Sequence, residues 1–277
     1  MKRLGALIDD SLKGCFDALE LETVKRALCT ELLGVSALSF YTKESLPDDS
    51  ERDARLFDAL DRLKKGEPLQ YVIGWAPFSD LQFKVDKRVL IPRPETAELV
   101  EWVARDCPDS GSLLDVGTGS GCIAVTLAHN LKGCKVQGWD ISDDALQVAR
   151  FNNSLNGTDV VFSKVDILKV PEQEYCFDVI VSNPPYVMES EKAQMESTVL
   201  DYEPHLALFV QDNDPLLYYR AVAELGRRAL KIGGSLYFEI NPLKAQAMET
   251  LLIEAGYHDV ELRSDIFGKQ RMIKAIL

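Results

Sequence analysis

No stretch of this sequence approaches the roughly 18 uncharged apolar residues that a membrane-spanning helix needs. The first ten residues, Met1 to Asp10, lose their apolar character at Asp9 and Asp10, too early for the apolar segment of a secretion signal. A surplus of positive charge is missing too: 31 Lys and Arg face 44 Asp and Glu, a formal net charge of −13. Residues 1–75 hold 11 basic and 14 acidic residues, a net of −3, and the remainder holds 20 and 30, a net of −10. Gripping nucleic acid by its phosphates needs a basic footprint, so neither part suits that task. An acidic chain suits a basic protein partner better. Cysteine occurs six times, as Cys15, Cys29, Cys107, Cys122, Cys134 and Cys176, but never as Cys-x-x-Cys or with zinc-site spacing. The three histidines, His129, His205 and His258, do not cluster. No metal site is expected, and neither repeats nor low-complexity tracts occur. These absences point to a soluble cytoplasmic protein with reduced thiols and no membrane partner.

What is present is enough for a substantial core. The chain has 277 residues, 46% of them hydrophobic, which allows one or two domains. Residues 1–68 read as a small helical domain. Leu21, Val24, Leu28, Leu32 and Leu33 recur at helical spacing, as do Leu56, Leu60 and Leu63. Pro47-Asp48-Asp49-Ser50 breaks the two, with Ser50 as N-cap, and Gly66 and Pro68 end the region. Residues 69–92 read as a β-hairpin linker, rich in strand formers (Val72, Ile73, Trp75, Phe78, Phe83, Val85) with turn residues between them. From residue 93 to 277, helix and strand signals alternate. Strands are expected at 112–116, 135–140, 160–164, 177–182, 235–240, 257–263 and 270–276, and helices at 95–106, 120–130, 143–156, 214–230 and 243–255. Strands separated by helices pair in parallel through right-handed crossovers, which gives a doubly wound, mostly parallel seven-stranded α/β sheet. The short connection between the last two strands implies a hairpin, with the final strand antiparallel to its neighbours.

Leu113-Leu114-Asp115-Val116 runs into Gly117-Thr118-Gly119-Ser120-Gly121. Glycines at alternate positions allow positive φ and a close backbone approach to a ligand, and the helix behind them offers free N–H groups. A tight strand-to-helix turn or a dinucleotide site would use the same pattern. Two details favour a different ligand. The spacing is Gly-x-Gly-x-Gly rather than Gly-x-Gly-x-x-Gly, and Asp115 stands two residues before the first glycine. Asp115 could face the cationic amino group of a ligand such as S-adenosylmethionine, directly or through water. Asp140, 19 residues after Gly121, ends the next strand, where a carboxylate can accept both ribose hydroxyls. Asp166 and Ile167 follow the third strand. The acid could take the exocyclic amine of adenine while Ile167 packs on the ring.

The apolar run Phe177 to Ser182 stops at Asn183-Pro184-Pro185-Tyr186. Two prolines fix φ and hold the asparagine extended at the carboxyl end of a strand, where open α/β sheets bind ligands. An amide or aromatic amine is a poor nucleophile because its lone pair is delocalised. A site helps by accepting both N–H hydrogens, here through the Asn183 side-chain oxygen and the Pro184 carbonyl. That favours a more tetrahedral nitrogen whose lone pair can be aimed at a methyl donor. Tyr186 can pack against the planar group. The four residues do not separate a side-chain amide from the exocyclic amine of a flipped DNA or RNA base. A non-catalytic adaptor is disfavoured, since both the glycine loop and Asn183 are intact.

Asp-Val-Gly-Thr-Gly-Ser-Gly followed by Asn-Pro-Pro-Tyr resembles the class I methyltransferases that modify planar nitrogens. Three further segments narrow the resemblance: Pro68 to Gly74, Val89 to Thr96, and Glu203 to Leu208. Together they resemble the protein-glutamine methyltransferases that act on peptide chain release factors, and the likeness covers nearly the whole chain. It implies methyl transfer from S-adenosylmethionine to the side-chain amide nitrogen of the glutamine in a Gly-Gly-Gln motif. The product would be S-adenosylhomocysteine. By the same resemblance Gly117 to Gly121, Asp140, Ile167 and Asn183 would contact the cofactor. Asn183, Pro184, Pro185 and Tyr186 would hold the glutamine. Thr96 or Arg93 would lie near the methionine part, and the helical domain would help dock the release factor. One departure stands out: the family often has an acid after the threonine, and here that residue is Ala97.

Overall fold

The computed structural model describes residues 2–42, 49–170 and 176–277. Two compact units are present, one formed by Met1–Trp75 with Glu196–Tyr202, the other by Ala76–Met195 with Glu203–Leu277.

The first unit is helical: α1 (Lys2–Ser11), α2 (Ala18–Ala27), α3 (Ala37–Thr42), α4 (Ser50–Lys64), α5 (Leu69–Ile73) and, from far along the chain, α9 (Ser197–Tyr202). Its core gathers Ile8, Leu12, Val24, Leu28, Leu56, Leu60 and Leu63, including the periodic leucines of α4. Asp17 caps α2 by accepting the N–H groups of Leu19 and Glu20. Asp49, not Ser50, caps α4. Its carboxylate accepts the N–H groups of Glu51 and Arg52, and Ser50 is the first helical residue. A carboxylate at that position also meets the positive end of the helix dipole. Pro47 and Asp48 lie outside the described residues. Val72 and Ile73, expected as strand, end α5 instead. Val72 is buried in the unit's core, and the Arg62 guanidinium donates to the Tyr71 and Val72 carbonyls at 3.0 and 3.4 Å. Burial and a long-range cap override the β-branched preference. Tyr202 of α9 donates its hydroxyl to the Lys65 carbonyl at 2.8 Å.

The hairpin is formed by β1 (Trp75–Phe78) and β2 (Leu81–Lys84). The second unit contains β3 (Ser112–Val116), β4 (Lys135–Asp140), β5 (Val161–Lys164), β6 (Phe177–Ser182), β9 (Leu230–Glu239), β10 (His258–Ser264) and β11 (Gln270–Ile276) in one sheet. The order is β10-β11-β9-β6-β3-β4-β5. All neighbours pair in parallel except β11, which is antiparallel to both β9 and β10. The helices α6 (Pro94–Asp106), α7 (Cys122–Asn130), α8 (Asp143–Leu155), α10 (His205–Leu208), α11 (Leu217–Ala229) and α12 (Ala245–Glu254) complete the α/β unit. Asn152 on α8 ties down β2, accepting the Lys84 N–H at 2.7 Å and donating to the Lys84 carbonyl at 3.1 Å. The segment between β6 and α11 holds a parallel two-stranded pair, β7 (Val187–Met188) with β8 (Phe209–Val210). Elements this short carry no readable period, and none was expected there. Among the described residues no helix is long and apolar enough to cross a membrane.

Register decides what meets at the carboxyl edge of the sheet. Val116 lies opposite Trp139 on one side and Ser182 on the other, and Ser182 lies opposite Phe238. The next residue of each strand therefore stands in one row: Asp140, Gly117, Asn183 and Glu239. The strand order reverses between β3 and β6, which makes this row the topological switch point of the sheet.

Candidate active site

At that switch point lies a cavity of about 270 Å³. Gly117, Thr118, Gly119, Ser120, Asp140, Asp166, Ile167, Asn183, Pro184 and Pro185 all line it, as do Arg93 and Thr96. Asp115, Gly121 and Tyr186 do not.

The glycine loop is bound to the neighbouring strand. The N–H groups of Gly117 and Thr118 both donate to the Trp139 carbonyl, at 2.8 and 2.9 Å. Gly117 and Gly121 have φ of +76° and +82°, a region that a side chain disfavours. The loop consumes residues through Gly121, the N-cap of α7, so the helix begins at Cys122 rather than Ser120. Asp140 is anchored from two sides: it accepts the Gly119 N–H and the Ser142 N–H, each at 2.9 Å. Burial raises its carboxyl above the ordinary range. An ionised carboxylate has acceptor capacity beyond these two bonds, which leaves room for hydroxyl donors.

Asp115 lies behind the loop, 1% exposed. Its Oδ2 accepts the Thr118 hydroxyl at 2.6 Å, while its Oδ1 is buried with no partner among the described residues. Burial pushes its carboxyl up to about 7, a cost that a nearby cation would offset. Asp166 starts a 3₁₀ turn at Ile167–Lys169, accepting the Leu168 N–H at 3.0 Å. It sets Ile167 on the cavity wall beside Val165 and Ile141.

On the other side of the cavity a buried polar cluster surrounds Asn183. Glu239, 1% exposed, accepts the Thr96 hydroxyl at 2.6 Å, the Asn183 side-chain N–H at 3.0 Å and the Tyr186 hydroxyl at 2.9 Å. The Asn183 amino group also donates to Thr96 Oγ1 at 3.3 Å. Arg271 on β11 reaches the Tyr186 hydroxyl at 3.4 Å and pairs with Asp265 at 3.1 Å. Asn241 donates to the Tyr186 carbonyl at 3.2 Å and to Glu191 at 2.9 Å, which fastens the chain after Pro185. Tyr186 thus serves the wall from behind, with its ring against the sheet's core. Glu203 is another buried acid. It accepts the Ile91 N–H at 3.1 Å and pairs with Arg93, so the 88–93 and 203–207 segments close on the cavity together. Arg93 therefore pairs with an acid 110 residues away rather than within its own helix start.

Sequence reasoning did not single out Glu239 or Arg271. The available signal was a lone acid inside the apolar run Leu236 to Ile240, a position that burial forbids unless donors converge on it.

The family description "Methyltransferase domain" matches residues 109–251, and "PrmC N-terminal domain" matches residues 16–74. The release factor glutamine methyltransferase of Bacteroides thetaiotaomicron is 46% identical over 276 residues, 99% of each chain. The matched length takes in both units. The chain belongs to the release factor glutamine methyltransferase family. A second member, from Flavobacterium psychrophilum, is 41% identical over 95% of this chain and 94% of its own. Among solved structures, a methyltransferase from Pyrococcus furiosus shares the fold with a TM-score of 0.54 and 18% identity, covering 82% of this chain and 98% of its own.

Proposed function

We propose that this protein transfers a methyl group from S-adenosylmethionine to the side-chain amide nitrogen of the glutamine in the Gly-Gly-Gln motif of peptide chain release factors. The full-length likeness to release factor glutamine methyltransferases carries this reading. On this reading the enzyme works in the cytoplasm on a protein substrate, and the helical unit helps to dock it.

The cavity's residues suit the cofactor. Gly117, Gly119 and the loop amides would approach it closely, Asp140 would take the ribose hydroxyls, and Asp166 with Ile167 would hold the adenine. Asp115, a buried acid with an orphan oxygen, suits a site that receives a cation. When bound, S-adenosylmethionine supplies a methyl group on a positively charged sulfur. Everything else falls to the protein. Asn183 Oδ1 accepts no hydrogen bond from the described residues, because the amino group of the same amide is the part engaged by Glu239 and Thr96. It can therefore accept one N–H of a substrate amide, with the Pro184 carbonyl accepting the other. Two fixed acceptors restrain the nitrogen and stabilise the positive charge that develops on it before it loses a proton. No nucleophilic side chain is required.

The reading is tested by offering purified release factor, DNA and RNA as acceptors of labelled methyl groups. Label is expected in the Gly-Gly-Gln glutamine; label confined to nucleic acid would overturn the assignment. The net charge of −13 stands against a base amine as the acceptor.

Asp115 predicts a pH dependence. Unliganded, it is protonated over much of the range below about 7. The ammonium group of a ligand held above the loop favours the ionised form, so binding releases a proton. Affinity for S-adenosylhomocysteine should therefore rise with pH by at most about tenfold per unit below 7, and level off above it. Calorimetry across about pH 5.5 to 8 measures this. Asp115→Asn should bind more weakly and with a flatter profile; an unchanged slope in that variant rules out Asp115 as the source.

A further inference from the structure

Glutamine and asparagine side chains have two nearly isosteric ends, one a donor and one an acceptor. Methyl transfer to an amide nitrogen, as read above, works only if Asn183 turns its oxygen to the cavity. The backbone of Asn183 cannot make that choice, since it tolerates either amide orientation. The neighbouring strand supplies what decides it.

Glu239 ends β9 one residue after Phe238, the register partner of Ser182, and so stands beside Asn183. Its Oε2 is 3.0 Å from the Asn183 amino nitrogen. Turning the amide over would set oxygen against a carboxylate oxygen at that distance, in a buried site where such repulsion is poorly screened. Thr96 gives the same instruction. Its one hydroxyl proton goes to Glu239 at 2.6 Å, so toward Asn183 it can only accept. Oε1 of Glu239 in turn takes the Tyr186 hydroxyl proton, holding the other end of the same four-residue segment. Thr96, Asn183 and Tyr186 all donate to this carboxylate, so it acts as an acceptor on both oxygens.

We propose that Glu239 is a positioning residue for methyl transfer: its carboxylate, seconded by Thr96, orients the Asn183 amide with the oxygen toward the substrate and the amino group away from it. The proposal rests on the reading of the protein as a glutamine methyltransferase for its kinetic consequence, but not for the orientation itself.

The groups facing Glu239 are Glu95 and Thr96 on α6, Cys122 on α7, Asn183 and Tyr186 beyond β6, Tyr219 on α11 and Arg271 on β11. Of these only Arg271 is cationic. Burial raises the Glu239 carboxyl above its ordinary value, and the Thr96 and Tyr186 hydrogen bonds and Arg271 act against that rise. Protonation would convert one acceptor into a donor and free the Asn183 amide to turn. Activity at saturating substrates should therefore fall on the acid side at a pH above the ordinary glutamate range.

Glu239→Gln is the informative variant, because it keeps the volume and can fold while presenting a donor and an acceptor where wild type has two acceptors. With either end toward Asn183, one of its contacts is mismatched. Expected are a kcat lowered by about 10- to 30-fold, KM for release factor and cofactor changed less than about threefold, and loss of the acid limb of the kcat profile. A readout independent of activity is the NMR signal of the Asn183 side-chain NH2, assigned by its loss in Asn183→Ala. In wild type it should shift as Glu239 titrates; in Glu239→Gln it should move from its wild-type position and no longer follow that titration. An NH2 signal unmoved by Glu239→Gln, or a variant with lowered thermal stability but wild-type kcat and acid limb, overturns the proposal. If the NH2 signal responds as expected while wild type methylates no release factor, the orientation stands and the substrate assignment falls.

Discussion

Asn183→Ala is expected to lower kcat for release factor methylation by about 10²- to 10³-fold, the range seen when one preorganised polar group is removed from a reacting centre. Affinity for S-adenosylhomocysteine should fall far less. The variant removes the side-chain acceptor for the substrate N–H and leaves the glycine loop, Asp140 and the Asp166–Ile167 wall untouched. It also takes one of three side-chain donors from the buried Glu239. A loss of about 1–3 kcal/mol of stability is expected for that reason, since a buried charge with a missing partner is costly. Single-turnover kinetics with saturating cofactor, beside a thermal melt, separate the two effects. A kcat within a few-fold of wild type would show that the amide nitrogen is held by something other than Asn183.

Gly117→Val should have the second large effect, on cofactor binding rather than on the chemical step. Gly117 has φ of +76°, where a β-branched residue is strained by about 1–3 kcal/mol. A Cβ built there meets no atom within 4 Å, and the residue lines the cavity. The protein itself therefore leaves room for a β-carbon, and the obstruction falls on the ligand. Affinity for S-adenosylhomocysteine should drop by about 100-fold or more, equivalent to roughly 3 kcal/mol, with the fold retained. Titration calorimetry and far-UV circular dichroism would check both halves of this expectation. Binding at wild-type strength would mean that the ligand does not approach the loop at Gly117. The contrast with Gly138 is instructive. A Cβ there would lie 2.5 Å from a Phe162 ring carbon and 2.9 Å from Thr118 Oγ1, so a side chain would disturb the loop from below.

Much of the catalytic unit was legible because its signals are local. Strands β3 and β6 lie where the runs Leu113–Val116 and Phe177–Ser182 do, and the glycine loop and the two prolines that follow them carry their own backbone constraints. The antiparallel final strand followed from the short connection before it. Where a partner from elsewhere in the chain governs the backbone, local signals misled. Val72 and Ile73 favour strand but join a helix capped by Arg62. The N-cap of α4 failed for a different, local reason: Asp49 and Ser50 are adjacent and both of N-cap type, and Asp49 takes the role one residue earlier. Helix α9 belongs to the first unit although more than a hundred residues separate it in sequence from the rest of that unit.

The sequence by itself determined the chemistry on offer: a glycine loop that can approach a ligand, carboxylates after successive strands, and an asparagine held extended by two prolines. Those are properties of residue type and of φ, and they need no neighbour. The tertiary structure decided how Asn183 presents itself. Parallel register brings Glu239 beside it from 56 residues away, and α6 adds Thr96 from 87 residues away. An amide has no orientation of its own in a sequence. It acquires one when a buried acceptor is placed next to one of its ends, and only the packing of β6, β9 and α6 against one another does that.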